Sequence, residues 1–190
     1  MSDYYASAAE FEAFCRARRW RFCFIGGLAV LRWGLPRMTL DVDISLLTGY
    51  ENTPAYIDEL LRHFPARMTD AAAFARAHRV LLVTSHDGTP ADISLAAVPF
   101  KEDVIARAGA WQATPDVALT TCSAEDLIVY KAFANRARDW DDIEGILQRQ
   151  GPALNLPQIM RALQPLCDAR DTPGVIAQLD ALVRRTTGAW

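Results

Sequence analysis

The sequence predicts an α+β (mixed α/β) fold, in which a small mixed sheet is flanked by helices and followed by a helical C-terminal part. Short apolar or alternating segments, typical of strands, occur before residue 120, whereas helix start signals follow one another from about Ser123. The chain has 190 residues, of which 51% are hydrophobic and 23% charged, enough for a buried core without disulfides.

The segments before residue 97 are predicted to alternate between helix and strand. Ser7 and Glu10 match the capping box of a helix that runs to about Arg19. Residues 21–25 are typical of a short buried strand, which ends at Gly26-Gly27, and a helix is expected over 28–33. The next predicted elements are a strand over 41–47, helices over 53–64 and after Asp70, and hairpin strands over 79–85 and 91–96 around Asp87-Gly88.

The rest of the chain is expected to be mostly helical. A helix is predicted over 99–108 and an extended segment over 111–119. Four later helices are predicted. Two start at capping patterns, Ser123 with Asp126 and Asp139 with Asp142, and two start at the prolines Pro157 and Pro173. We therefore predict two domains: a core over 1–122 and a helical part over 123–190 that packs on it.

Composition excludes several classes of protein. The chain has 20 Lys+Arg against 23 Asp+Glu, a net charge of -3, so nucleic acid would need a local basic patch. The arginines of 16–21 and 184–185 could form such patches or could be solvated helix faces. Because no apolar run reaches membrane-spanning length and the acidic N-terminus does not resemble a signal peptide, we expect a cytoplasmic protein with no membrane partner.

The cysteines and histidines have no metal-binding spacing. The four cysteines form no CxxC pair, and His63, His78 and His86 lie far apart in the sequence. We expect each histidine to be a surface or partly packed residue.

Acidic residues on the predicted strands are the main chemical signal. Asp41 and Asp43 share one strand face, where they form either a solvated surface or a site for a hard cation such as Mg²⁺. The segment Asp43-Ile44-Ser45-Leu46 is repeated as Asp92-Ile93-Ser94-Leu95. If the two strands are neighbours, three carboxylates converge on one face. Otherwise Asp92 is only a residue near the hairpin turn.

Gly26-Gly27 lies between a predicted strand and a predicted helix. Exposed amides there could hold a phosphate, or the pair could be only a tight turn. Arg37, four residues before Asp41, could reach a phosphate or pair with the carboxylates.

Taken together, these residues carry a resemblance. Ile25-Gly26-Gly27, followed after thirteen residues by Asp41-Val42-Asp43-Ile44, resembles the signature of the polymerase-beta-type nucleotidyltransferase fold. Within that superfamily, the segment from Arg37 through Thr39 to Asp43 resembles the R-x-T-x-D-x-D motif of the AbiEii/AbiGii and MenA-type toxin group.

A second motif extends the resemblance into the helical part. Lys131 falls on a predicted buried stripe, where a lysine either extends to solvent or points at an acidic group. Lys131, Arg136, Asp139 and Asp142 match the K-x4-R-x2-D-x2-D pattern of the same toxin group. From the residues alone, the two aspartates could simply cap the next helix.

The resemblance implies a metal-dependent transfer of NMP from an NTP to an acceptor hydroxyl, with Mg²⁺ or Mn²⁺ as cofactor. It implies tRNA 3′ ends as acceptor and a cognate antitoxin as partner. By the same resemblance, Asp41, Asp43 and Asp92 would be metal ligands and, with Lys131, catalytic. The nucleotide-binding residues would be Gly26, Gly27, Arg37, Thr39, Lys131, Arg136, Asp139 and Asp142.

Two alternatives stay open at this point. Antibiotic nucleotidyltransferases share the core motif, so the acceptor could be a small molecule of the aminoglycoside type. A non-catalytic nucleotide-binding domain with the same fold is also compatible with the sequence.

Overall fold

The computed structural model describes residues 4–188, which form two compact units. Of the described residues, those up to Leu28 and Met38–Cys122 form the first unit, and Ala29–Arg37 with those from Ser123 onward form the second. The short segment 29–37 therefore groups with the C-terminal helices. The division into functional domains at 1–122 and 123–190 stays a prediction.

The elements of the chain up to Cys122 alternate between helices and strands. In chain order they are α1 (Tyr4–Ala17), β1 (Phe22–Phe24), α2 (Gly26–Trp33), β2 (Val42–Leu47), α3 (Thr53–His63), α4 (Ala71–His78), β3 (Val80–Thr84), β4 (Pro90–Ala96), α5 (Pro99–Arg107), β5 (Gly109–Thr114) and β6 (Val117–Thr121). Within residues 4–188 the strands form one six-stranded mixed sheet, in the order β3-β4-β2-β1-β6-β5. β2 pairs with β4 and β1 with β6 in parallel, and the other neighbours are antiparallel.

One face of the sheet carries the core of the first unit. Val42, Ile44 and Leu46 alternate along β2 and are buried, as are Ile93 and Leu95 on β4. They belong to one hydrophobic cluster with the aromatic and aliphatic side chains of α1 and α3, which include Phe11, Phe14, Ile57 and Leu60. Because side chains alternate along a strand, Asp43 and Asp92 lie on the opposite face from this core.

The second unit is helical. Its helices are α6 (Ala124–Ala134), α7 (Ala137–Gln150), α8 (Leu156–Arg170) and α9 (Gly174–Thr187). α6 packs against α7, α8 and α9, and Leu127, Ile128, Ile143, Ile146 and Leu163 are almost fully buried. Arg149 Nη1 donates to the Gly34 carbonyl at 2.8 Å, which ties α7 to the segment 29–37.

The predicted mixed α/β fold is confirmed, and so are the hairpin of β3 with β4 and the Ser123 cap, whose hydroxyl accepts from the Asp126 amide at 3.1 Å. Ser7 is wrong as a cap, because it lies inside α1 and its hydroxyl bonds to Asp87 and Thr89 at 2.8 Å each. The segment 111–119 is part of a second hairpin, β5 with β6.

Among residues 4–188, no helix has the length and apolar character needed to cross a membrane.

Arg79 offers a test of this architecture. It ends α4 with a left-handed φ of 59° and donates to the carbonyls of Leu95 (2.7 Å) and Gly49 (2.9 Å) and to the Thr53 hydroxyl (2.7 Å). Arg79→Met keeps the apolar stem but removes these hydrogen bonds. We expect it to lower the free energy of unfolding in urea by about 2–3 kcal/mol. Arg76→Met, the same change at an exposed position of α4, should have little effect on the free energy of unfolding. Equal losses of stability in the two variants would contradict the stabilising role of the Arg79 hydrogen bonds.

Candidate active site

Two of the three predicted carboxylates lie directly opposite each other on neighbouring strands. In the parallel pairing of β2 with β4, Asp43 is the partner of Asp92 and Ser45 is the partner of Ser94. The two copies of the repeated tetrapeptide therefore pair with each other residue by residue, and both aspartates lie on one face of the sheet. The two strands are neighbours, as the predicted convergence of the carboxylates requires.

Asp41 completes the carboxylate cluster of Asp41, Asp43 and Asp92. It lies one residue before β2, and one oxygen from each of the three side chains lies within 4.8 Å of the others. All three are half-buried. Like charges this close repel each other, and a divalent cation relieves that repulsion. A donor set of carboxylates without nitrogen or sulfur fits Mg²⁺ or Mn²⁺.

The residues beside Asp41 hold its backbone and side chain in place. The Tyr4 hydroxyl donates to the Asp41 carbonyl at 2.8 Å, and the Thr39 hydroxyl donates to Asp41 Oδ1 at 3.3 Å. Burial is the main reason why the pKa of Tyr4 is raised above its ordinary value, so this hydroxyl remains a donor at neutral pH. Thr39 is thus placed as a residue that orients Asp41.

The two glycines allow the backbone to approach the carboxylate cluster. Gly26 has a φ of +55°, and a Cβ atom there would lie 1.8 Å from Asp43 Oδ2. At Gly27 a Cβ would lie 2.2 Å from the Thr39 hydroxyl. The prediction that the pair precedes the helix is wrong, because α2 begins at Gly26 and the glycines form its first turn. They leave space for the side chains of Asp43 and Thr39.

Arg67 is a site residue that sequence reasoning missed. It follows α3 in a connecting segment, and its Nη1 pairs with Asp92 Oδ1 at 2.5 Å. Neighbouring Ala66 forms an isolated bridge with Val83, which anchors this segment to the edge of the sheet. No local pattern marks Arg67, since its partner is twenty-five residues away in the chain.

A second group of charged residues lies in the helical unit. Lys131 is buried on α6, and its Nζ contacts Asp139 Oδ1 at 3.1 Å and Asp142 Oδ2 at 2.6 Å on α7. Arg37 binds both oxygens of Asp142, with distances of 2.6 Å from Nε and 2.9 Å from Nη2. Arg136, whose side chain is 75% exposed, pairs with Asp139 at 2.7 Å. We call Arg37, Lys131, Arg136, Asp139 and Asp142 the ion-pair cluster.

Both aspartates of the ion-pair cluster are ionised. Burial by itself raises their pKa, but bonds and charges from Arg136 and Lys131 at Asp139, and from Arg37 and Lys131 at Asp142, outweigh it. The pKa of each carboxyl therefore lies below its ordinary value. Asp139 also accepts from the Arg136 amide at 3.3 Å, so the predicted start of the helix at Asp139 is corrected to Ala137 with Arg136 as the cap.

The arginine groups are largely paired with acids. Arg18 donates to Glu59 at 2.6 Å and lies 3.5 Å from the centre of the Phe14 ring. The other pairs are Arg16–Glu12, Arg21–Glu102, Arg184–Asp180 and Arg185–Glu144. Neither group therefore presents its full positive charge to a nucleic acid.

Comparison with known protein families identifies the family of the chain. The model of the nucleotidyl transferase AbiEii toxin family, type IV TA system, matches residues 15–187. The chain belongs to the AbiEii family. The match covers the carboxylate cluster, the glycine pair and the ion-pair cluster. No curated protein sequence matches the chain.

Solved structures agree with the AbiEii assignment at the level of the fold. An antigenic nucleotidyltransferase-like protein from Paracoccidioides brasiliensis superposes with a TM-score of 0.56 and 15% identity, over 97% of this chain and 96% of that one. The lincosamide antibiotic adenylyltransferase LnuA gives a TM-score of 0.52 and 12% identity, over 77% and 96%. The antibiotic-resistance factor ANT(2'')-Ia gives 0.53 and 14%, over 88% and 92%.

Gly26→Ala tests the close approach of the backbone to Asp43. The added methyl group both strains a left-handed residue and overlaps the Asp43 side chain. Gly49→Ala is the matched control, since Gly49 has a φ of +66° and nothing within 4 Å of the added Cβ. We expect the control to lose about 1–2 kcal/mol of the free energy of unfolding and Gly26→Ala to lose clearly more. Equal losses in urea unfolding would show that Asp43 moves aside freely.

The ion-pair cluster predicts a pH-dependent stability. Because the folded-state pKa of Asp142 is lowered, its contribution is present above its unfolded pKa, about 4, and is lost as the pH falls through the folded value. We expect Asp142→Asn to lower the free energy of unfolding at pH 7 by about 3 kcal/mol, since Lys131 loses a buried partner. In urea titrations the difference from wild type should persist at pH 5 and shrink at pH 3, below the unfolded pKa. Asp141→Asn, at the exposed neighbouring position, should show neither effect.

Proposed function

We propose that this protein transfers NMP from an NTP to the 3′ end of tRNA, using Mg²⁺ or Mn²⁺ held by Asp41, Asp43 and Asp92. The observation that carries the proposal is the convergence of these three carboxylates within 4.8 Å in a chain of a nucleotidyltransferase family. The toxin and type IV TA description of that family supports a toxin role, with a cognate antitoxin as partner.

The carboxylate cluster supports the chemistry of this proposal. A bound divalent cation would neutralise the triphosphate and the charge that develops on the leaving pyrophosphate. Asp92 accepts the proton of the attacking hydroxyl in this scheme. Because Arg67 occupies Asp92 Oδ1, Oδ2 is the oxygen assigned to that role. Thr39 and Tyr4 hold Asp41 in the orientation that the ligand set requires.

The ion-pair cluster suggests separate roles for Arg37 and Lys131. Lys131 is 7% exposed and already engaged by two carboxylates, so we assign it a positioning role. Arg37 is 24% exposed and is held by Asp142 through two of its nitrogens, which fixes its guanidinium for phosphate binding. Arg136, Asp139 and Asp142 hold these two cations in place. In the first unit, the amides of Gly26 and Gly27 are proposed phosphate donors in their own right.

Incubation of the chain with total tRNA, Mg²⁺ and each α-labelled NTP in turn tests the proposal. We expect label on RNA that is abolished by EDTA and restored by Mg²⁺ or Mn²⁺. Asp43→Asn should reduce the rate roughly 100-fold or more, because a charge facing the reacting phosphates is lost. Asp116→Asn, the same change at an exposed residue of the β5–β6 turn, should leave the rate unchanged.

The same assay separates this proposal from its alternatives. Label on a small hydroxylated antibiotic, with none on RNA, would replace tRNA by a small-molecule acceptor. The pairing of the arginine groups with acids favours the small-molecule acceptor, because it weakens the electrostatic attraction of these arginines to a phosphate backbone. Binding of Mg²⁺-NTP without transfer to any acceptor would support a nucleotide-binding role. Transfer to tRNA that persists in Asp43→Asn would overturn the assignment of the carboxylate cluster.

A further inference from the structure

Glu10, His63 and His86 converge from three elements of the first unit. Glu10 lies on α1, His63 is the last residue of α3, and His86 lies in the turn between β3 and β4. One donor atom from each side chain lies within 4.8 Å of the others. The sequence predicts that each histidine is a surface or partly packed residue. The structure brings two of the three together with a carboxylate.

We propose that Glu10, His63 and His86 bind a divalent transition-metal ion, with Zn²⁺ as the ion whose chemistry fits best. Two imidazoles and one carboxylate are donors that zinc prefers, at about 2.0–2.2 Å. Magnesium prefers oxygen ligands and suits the carboxylate cluster instead. The two donor sets share no residue, so the chain offers a nitrogen-rich site and an oxygen-only site to different ions.

Hydrogen bonds fix the turn that carries His86 against the helix that carries Glu10. The Ser7 hydroxyl, one turn before Glu10 on α1, donates to Asp87 at 2.8 Å and lies 2.8 Å from the Thr89 hydroxyl. The Ser85 hydroxyl also donates to Asp87, within the same turn. The His86 amide donates to Glu10 Oε2 at 3.2 Å. The two ligands are therefore placed together by contacts that need no metal.

Aromatic packing orients His63 toward them. Its ring lies 4.7 Å from the ring of Phe14 and 4.8 Å from that of Phe64, measured between centroids. Phe14 and Phe64 belong to the buried core. The His63 ring in turn meets the His86 ring at 5.1 Å, at an angle of 81°. We infer that rotation of the exposed His63 and His86 side chains brings the three donors to metal-bonding distance.

An ion in this position would connect α1, α3 and the β3–β4 turn. Three protein ligands leave at least one coordination position for water. The ion pair between His86 Nδ1 and Glu10 already joins two of the three residues but does not include His63. A metal site accounts for all three donors, and it predicts that zinc stabilises the fold.

Zinc titration of the metal-stripped chain, in excess Mg²⁺ and against a chromophoric zinc indicator, tests the proposal. We expect one Zn²⁺ per chain and a rise in melting temperature. Either His63→Gln or His86→Gln should lower the affinity by about 100-fold and abolish the thermal shift. His78→Gln is the matched control, because His78 stacks on Phe74 in α4 outside the cluster and should bind zinc like wild type.

Two further measurements separate the other sources of zinc binding. Asp41→Asn/Asp43→Asn should keep the zinc site, whereas binding lost in that variant would assign the ion to the carboxylate cluster and overturn the proposal. Co²⁺ in place of zinc should give visible absorption bands that His86→Gln removes. Absence of zinc binding, or binding unchanged in both His63→Gln and His86→Gln, would also overturn it. These readouts do not use nucleotidyl transfer, so they stand or fall independently of the proposed function.

Discussion

The parallel pairing of β2 with β4 is the constraint on which the carboxylate cluster depends. Its register places Asp43 opposite Asp92, while Ile44 and Ile93 pair on the other face, inside the core. A slip of one residue would turn an aspartate into that core and an isoleucine out of it. Burial of apolar side chains thus stabilises this register, and the register in turn brings two aspartates close together. Packing on one face of the sheet holds like charges together on the other.

The two charged clusters solve the problem of partly buried charge in different ways. In the ion-pair cluster, two aspartates are matched by Lys131, Arg37 and Arg136, and the protein itself compensates the charge. In the carboxylate cluster, three acids lie within a few ångströms, and Arg67 contacts one of them. Buried charges are stable only when they are paired. The first cluster therefore carries its own compensating cations, whereas the second has a set of donors that fits a divalent cation from solution.

Local sequence signals predicted the parts of the fold that depend on neighbouring residues. Alternation along 41–47 and 91–96 gave the strands and the face that each aspartate occupies, and the Ser123 cap is local by nature. Ser7 shows the limit, because its hydroxyl fits a capping pattern and yet bonds to the distant Asp87. Arg67 and the His63–His86 contact depend on tertiary structure, and no spacing in the sequence marks them. The spacing of Lys131, Asp139 and Asp142 did group these three residues, although it did not predict that they pair with one another.

The position of β1 in the sheet has a consequence for synthesis of the chain. β1 pairs with β2 on one side, and on the other with β6, where Phe24 faces Thr121. The strands β3, β4, β2 and β1 can assemble once residue 96 has left the ribosome, but the second edge of β1 waits for residue 121. Contacts between such distant residues form slowly, and an apolar strand with an open edge invites pairing with other chains. During synthesis, one edge of β1 therefore stays open to other chains until β6 is made.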